Sequence, residues 1–368
     1  MLENRDLSWA IPALLMCYHG LFMRESSKNA GTRRFAAYAW FVLAYNVGVI
    51  LWGTVVRATG SGAGCGDHWP LCGGQVIPHA ARIATLIEFA HRASSGIAVA
   101  LVLVLAYFAF RRFAAKHPSR RYAAAAVFFT FTEGLLGAAL VLFGDVGNNA
   151  SASRVFILSL HLVNTFLLLA SLALTAKSAG SGQQASAGDG AVRGVNPWRA
   201  PTRGIYMAYV AGLLGALAIA VTGTIAALGD TLFHATSFAQ GFEWDLSPTA
   251  SPLLRLRIIH PVVAVLIGTY LIALAVHALS TPTPRTAKRM AASLLVLIVI
   301  QFGFGTLNVL LLAPLWMQVL HLLTADLIWI TLVLLSAAML GRVHVSLVEY
   351  RAPAPVPEAE DRASALTT

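Results

Sequence analysis

The sequence predicts an all-α integral membrane protein whose eight transmembrane helices form two parallel-repeat four-helix bundles. Three observations predict it: a composition poor in charge, eight long apolar runs, and short motifs that recur in the two halves of the chain. Of 368 residues, 57% are hydrophobic and only 11% charged, whereas soluble domains carry about 25% charged residues. Too little polar side chain is present to cover a water-exposed surface.

Runs of about 20 apolar residues can cross a bilayer as helices, which satisfy their own backbone hydrogen bonds in lipid. Eight such runs occur, at 36–56, 85–110, 122–143, 154–176, 204–227, 257–279, 290–312 and 317–341. They divide the chain into an N-terminal extension (1–35), an N-terminal four-helix bundle (36–176), a Ser/Gly/Gln/Ala-rich linker (177–203), a C-terminal four-helix bundle (204–341) and a tail (342–368). The linker has the composition of a flexible connection. Within the extension, Trp9 to Met23 is apolar but short and follows Glu3 and Asp6. It lacks the basic start and cleavage site of a secretory signal and is read as an interfacial helix or an added segment.

The net charge of +10 raises nucleic acid as a partner, but the distribution of charge argues for a different origin. With the N-terminus inside, twenty of the 26 Lys and Arg residues fall on cytoplasmic segments. By the positive-inside rule both termini are cytoplasmic and the protein is a multi-pass protein of the cell membrane. The basic residues report topology, and the partner they imply is membrane lipid.

The fourth and eighth helices share a Leu-His motif, Leu160-His161-Leu162 and Leu320-His321-Leu322. The second and sixth carry His91 and His260 near their starts, and Gly53-Thr54 in the first resembles Gly223-Thr224 in the fifth. Because each half has four helices, both halves enter from the same side, as in a parallel repeat about an axis along the membrane normal.

Ionisable residues inside a membrane are costly and mark function. Four histidines, His91, His161, His260 and His321, stand at matched depth near the outer face, one on each even-numbered helix. One alone would be read as bonded to a neighbouring carbonyl. As a repeat-related set they pair naturally as His91 with His161 and His260 with His321, and two imidazoles across a bundle can ligate haem iron axially. Zinc or copper would draw three or four ligands to one point. Glu88 precedes His91 by one helical turn, and it reads equally as an ion-pair partner of Arg92 or as a proton acceptor beside a haem. Arg82, Arg92, Arg154 and Arg257 lie near outer helix ends, where they could fork onto haem propionates or snorkel. Cys65 and Cys72 in the first outer loop could form a disulfide in an oxidising compartment, stay free or bind a metal. Cys17 in the extension has no evident partner.

The run Thr59-Gly-Ser-Gly-Ala-Gly-Cys65-Gly-Asp-His-Trp69-Pro-Leu-Cys72-Gly, followed by Glu88-Phe-Ala-His91-Arg92, resembles the haem A synthase family over roughly residues 36–341. That resemblance implies oxidation of the C8 methyl of haem O to a formyl group, giving haem A for terminal oxidases. It implies substrate haem held by His91 and His161, a haem b cofactor held by His260 and His321, Glu88 as the catalytic residue, and a Cys65–Cys72 disulfide. It also brings a haem O synthase and an electron acceptor in as candidate partners, and a homo-oligomer as a candidate assembly. Some family members have a second cysteine pair in the third outer loop; residues 228–256 contain none. On the residues alone, a dihaem electron carrier of cytochrome b type would use the same histidines, and a transporter would need fewer fixed ligands.

Overall fold

The computed structural model describes residues 10–79, 82–181 and 202–340, with side chains from residue 30 onward and in α4 up to residue 179. The start of the extension, the side chain of Cys17, most of the linker and the tail lie outside the residues so described. Ten α-helices and no strand occur among the described residues. These are α1 (Ala10–Ala58), α2 (Ile83–Arg112), α3 (Pro118–Leu142), α4 (Ala152–Ser181), α5 (Arg203–Leu232), α6 (Phe238–Leu246), α7 (Pro252–Arg257), α8 (Ile259–Ser280), α9 (Arg285–Leu310) and α10 (Leu315–Leu340). Eight stretches are long and apolar enough to span a membrane, matching the eight expected runs, with α7 and α8 together supplying the sixth.

The differences from expectation lie at helix ends. Helix α1 already includes the residues before 36, where Phe35 is buried and stacks edge-on against Phe113. Helix α4 runs on to Ser181, into the segment read as linker. Alanine is the best helix former, Ala176 and Ala179 are buried, and Lys177 Nζ donates to Leu334 O at 2.7 Å. The sixth span is broken at Ile258, between α7 and α8. Proline residues start α3 and α7, where the missing N–H has no intrahelical role.

Within the first set, α1 packs on α2 and α4, α2 on α3, and α3 on α4. Within the second, α5 packs on α7, α8 and α10, α8 on α9, and α9 on α10. Between the sets, α4 meets α10 and α5, while α1 meets α10. Helix α10 is therefore surrounded, with 61% of its apolar window buried. At the centre of this contact Trp329 donates to Phe166 O at 2.6 Å and stacks on the Phe166 ring.

The ends of α3 and α9 are alike bond for bond. Phe143, Gly144 and Asp145 donate their N–H groups to the carbonyls of Ala139, Val141 and Leu140. Leu311, Leu312 and Ala313 donate to Leu307, Val309 and Asn308 in the same register. The turn needs a left-handed residue, supplied by Gly144 at φ 67° in one case and by Leu312 at φ 60° in the other. Glycine takes that conformation without steric cost and leucine does not.

Candidate haem-binding site

The four histidines stand at similar depth. His91 lies eight residues into α2, His161 nine into α4, His260 eight from the start of the α7–α8 span, and His321 six into α10. At 1.5 Å rise per residue, that is roughly 9–14 Å from each span's start. The position is deeper for the first three than the first two turns expected from sequence, because the spans start earlier.

Each pair comes together from two helices. The rings of His260 and His321 have centres 6.3 Å apart and planes at 82°. His91 and His161 stand on α2 and α4, which both pack on α1. Glycines make room for three of the rings. A Cβ on Gly53 of α1 would sit 3.2 Å from His91 Cε1, one on Gly223 of α5 3.0 Å from His260 Cε1, and one on Gly305 of α9 3.4 Å from His321 Cε1. The repeated Gly-Thr pair noticed in the sequence therefore has a physical reason: an imidazole lies against the helix where a side chain would otherwise be.

These residues fit a haem. The buried Nδ1 atoms of His91 and His321 have no hydrogen-bond partner and that of His161 has only Glu133 Oε1 nearby, at 3.4 Å, so the protein does not saturate these rings. Ring centres 6.3 Å apart leave space for a metal ion between His260 and His321, the residues that would hold haem iron there. Among the described residues no group of three or more His, Cys, Asp or Glu converges on a point, so a zinc-type cluster is not found there. Three polar neighbours were missed by sequence reading. Thr222 Oγ1 lies 3.2 Å from His260 Nδ1, Gln301 Nε2 3.2 Å from His321 Nε2, and Glu133 Oε1 3.4 Å from His161 Nδ1. Each sits on a different helix from its histidine, so sequence spacing holds no signal for it.

Glu88 is 3% exposed. Its Oε1 accepts from Arg92 Nη2 at 2.5 Å and Nε at 3.1 Å, and its Oε2 accepts from the Cys65 amide at 2.7 Å. Arg92 Nη1 in turn donates to His68 O and Leu71 O. Cys65 and Cys72 are joined as a disulfide, and Thr85 Oγ1 donates to Gly64 O at 2.7 Å. The loop is thus clamped onto the first turns of α2. The ion pair expected as one reading of Glu88 is present, and the Cys65 amide is a second partner that sequence could not show.

The arginines considered for propionates have other partners. Arg154, 3% exposed, donates to Gly147 O and Asn149 O of the α3–α4 turn. Arg257 pairs with Asp230 and Asp245, both at 2.7 Å. Arg92 is held as described, and Arg82 is exposed at the N-cap of α2. Arg57 reaches from α1 to Ala227 O of α5 and Gln318 Oε1 of α10, joining the two halves.

Fold and site together define a polytopic α-helical membrane protein with histidines on its membrane-competent helices and a disulfide-closed loop tied to the second of them. A profile of the cytochrome oxidase assembly protein family (COX15-CtaA) matches residues 36–333, and the chain belongs to that family. It is 45% identical, over 86% of its length, to a protein of Thermus thermophilus named protoheme IX farnesyltransferase, of which it covers 50%. It is 41% identical over 125 residues to the heme A synthase of Halalkalibacterium halodurans, covering 34% of this chain and 41% of that one. With the heme A synthase of Alkalihalophilus pseudofirmus the figures are 43% over 97 residues, 26% and 33%. The chain spans half or less of the length of these curated relatives.

Proposed function

We propose that this chain is a haem A synthase, an oxidoreductase that converts the C8 methyl of haem O to a formyl group. The observation that carries the reading is the paired-histidine arrangement, found in a chain whose curated relatives include heme A synthases. His91 and His161 would hold the substrate haem, and His260 and His321 a resident haem b. That cofactor would supply a one-electron redox centre beside the substrate site. The two four-helix sets are read as parallel repeats, supported by the matching neighbour pattern, the shared turn after α3 and α9, and the glycine–histidine contacts. Both termini are assigned to the cytoplasm, which puts the histidines nearer the outer face.

The protein's own part is to hold, orient and exclude water. The apolar helices suit the macrocycle, and the loop is held against the first turns of α2, on the side of His91 nearer its start. Glu88 is assigned as the group that takes up a proton at its carboxylate, one turn from His91. Among the described residues Glu88 Oε2 accepts only the Cys65 amide and so keeps a lone pair for the proton. Arg82 is the arginine left to meet a propionate.

A second reading is prenyl transfer, favoured by the Thermus relative. Since this chain covers only half of that protein, we assign the farnesyl transfer to the unmatched half. Prenyl transfer commonly uses carboxylates gathered around magnesium and pyrophosphate, whereas among the described residues no three of His, Cys, Asp and Glu gather at one point. A haem O synthase is then a natural neighbour, as supplier of substrate.

The test is expression in a host that supplies haem O, followed by pigment extraction from membranes and from purified protein. Haem A or a hydroxylated haem O supports the proposal. Haem b alone, with haem O unchanged, overturns it in favour of a dihaem carrier. Farnesylation of protohaem by the purified chain overturns it in favour of the second reading. Retention of full turnover by Glu88→Gln, with both haems bound, would remove Glu88 from the proton role.

A further inference from the structure

The shared turn after α3 and α9 fixes how the two helices correspond. Glu133 lies nine residues before Leu142, the end of α3, and Gln301 nine before Leu310, the end of α9. The two occupy one position in the two halves, and each faces the histidine of the next helix. Glu133 Oε1 is 3.4 Å from His161 Nδ1, and Gln301 Nε2 is 3.2 Å from His321 Nε2. The same place holds a carboxylate in one half and an amide in the other.

The carboxylate is held deliberately. Asn164 Nδ2 donates to Glu133 Oε2 at 2.5 Å, and Thr165 Oγ1 donates to Glu133 Oε1. Asn164 is itself fixed by Thr132 Oγ1 at 2.6 Å and by its bond to Phe129 O at 2.8 Å. Asn164 and Thr165 follow His161 by three and four residues, so they share its face of α4. The matching places after His321 are Thr324, which bonds back to Leu320 O, and Ala325. The second half has no such clamp. A carboxylate inside a membrane is expensive, and both oxygens of this one accept hydrogen bonds while Oε1 also lies against a ring nitrogen that has no hydrogen-bond partner.

An imidazole that ligates iron through one nitrogen carries a proton on the other. The partner of that N–H sets the tautomer, the ring orientation and the electron donation to the metal. A carboxylate beside the ring N–H gives the imidazole more anionic character, which favours oxidised iron, whereas Gln301 presents its Nε2, a donor, to His321 Nε2 and offers the ring no such acceptor. We propose that Glu133 is a positioning residue for His161, fixing it through Nδ1 and holding the haem of the N-terminal half at a lower reduction potential than that of the C-terminal half. Under that order, electrons pass favourably from the first site to the second. The inference rests on the reading of His91/His161 and His260/His321 as haem ligands.

The experiment is redox titration of the purified, haem-loaded chain, with electron paramagnetic resonance of the oxidised haems. Glu133→Gln is expected to raise one of the two potentials and leave the other in place. Gln301→Glu is expected to lower the other one. Glu133→Asp, which keeps an acceptor, is expected to lie nearer the parent than Glu133→Gln. Selective loss of one haem in Glu133→Gln, restored in Glu133→Asp, supports the same role by occupancy instead of potential. The inference is overturned if Glu133→Gln moves neither potential with both haems bound, or if it and Gln301→Glu move the same one. Unchanged haem content in His161→Ala would instead overturn the ligand reading on which it rests.

Discussion

The two halves of the molecule use one helical plan with different polar equipment. In both, a glycine of the leading helix receives a histidine ring, and the third helix ends in the same turn. The loops above them differ. In the first half a disulfide loop is tied to α2 through Glu88 and Arg92. In the second, α6 and α7 are tied by one arginine, Arg257, to Asp230 and Asp245. Beside the histidines the first half carries Glu133 and the second Gln301. What is common fixes where an imidazole can sit; what differs is what could make one site reactive and the other a reservoir.

The sharpest way to break the comparison is to remove ligands from one half at a time. His91→Ala or His161→Ala is expected to abolish haem O turnover and remove one haem, leaving the spectrum of the other. His260→Ala or His321→Ala is expected to remove the other haem. Haem-to-protein ratio and optical spectra of the purified variants check this. Loss of the same pigment from both sets would mean that the halves are not separate sites.

Next in size is the loop clamp. Arg92→Leu leaves Glu88 buried with its ion-pair partner gone, and breaking a buried pair from one side costs about 3–5 kcal/mol. Arg257→Leu should cost less, since its partners Asp230 and Asp245 are more exposed than Glu88, at 23% and 15% against 4%. Thermal unfolding in detergent checks the order, and a larger loss for Arg257→Leu would reverse the assignment of the tighter clamp to the first half. Replacing Cys65 and Cys72 by serine opens a short loop, and the chain-entropy relation puts that cost at roughly 2–3 kcal/mol.

The glycines refine the comparison further. A Cβ at Gly223 would sit 3.0 Å from His260 Cε1, at Gly53 3.2 Å from His91 Cε1, and at Gly305 3.4 Å from His321 Cε1. Overpacking costs about 1–3 kcal/mol, so haem affinity should fall most for Gly223→Ala, less for Gly53→Ala and least for Gly305→Ala. Haem titration of each variant gives the ranking, and an inverted order would show that the rings are free to retreat.

Much of this was legible in the sequence, and what was not has a common cause. The eight spans announce themselves because lipid demands long apolar runs, and the differences lie at their ends, as where α4 runs on to Ser181 and α5 to Leu232. The histidines stood out because polar residues are rare in such runs. Helices α6 and α7, nine and six residues long, fall below any period that a sequence shows. Glu133 meets Asn164 and Thr165 from a neighbouring helix, and Arg257 meets Asp230 twenty-seven residues away. Contacts between helices depend on how the bundle closes, and spacing along the chain does not encode that. Glu88 was half legible: its bond to Arg92 is local to one helix, while its bond to the Cys65 amide depends on the fold of the loop.

The smallest expected effect has the opposite sign and concerns a position where the halves differ most plainly. Five residues after its histidine, α4 carries Phe166 and α10 carries Asp326. Phe166 stacks on Trp329 in the contact between the sets, whereas Asp326 is fully buried with neither carboxyl oxygen hydrogen-bonded. An unsatisfied buried polar group costs about 1–3 kcal/mol, and leucine matches the branched shape of aspartate without the polar atoms. Asp326→Leu is therefore expected to stabilise the protein by on the order of 1 kcal/mol, seen as a higher unfolding temperature at unchanged haem content. A lower unfolding temperature, or a loss of haem from the second site alone, would show that Asp326 meets a group bound by the working protein, and that the second half has polar equipment of its own at the matching depth.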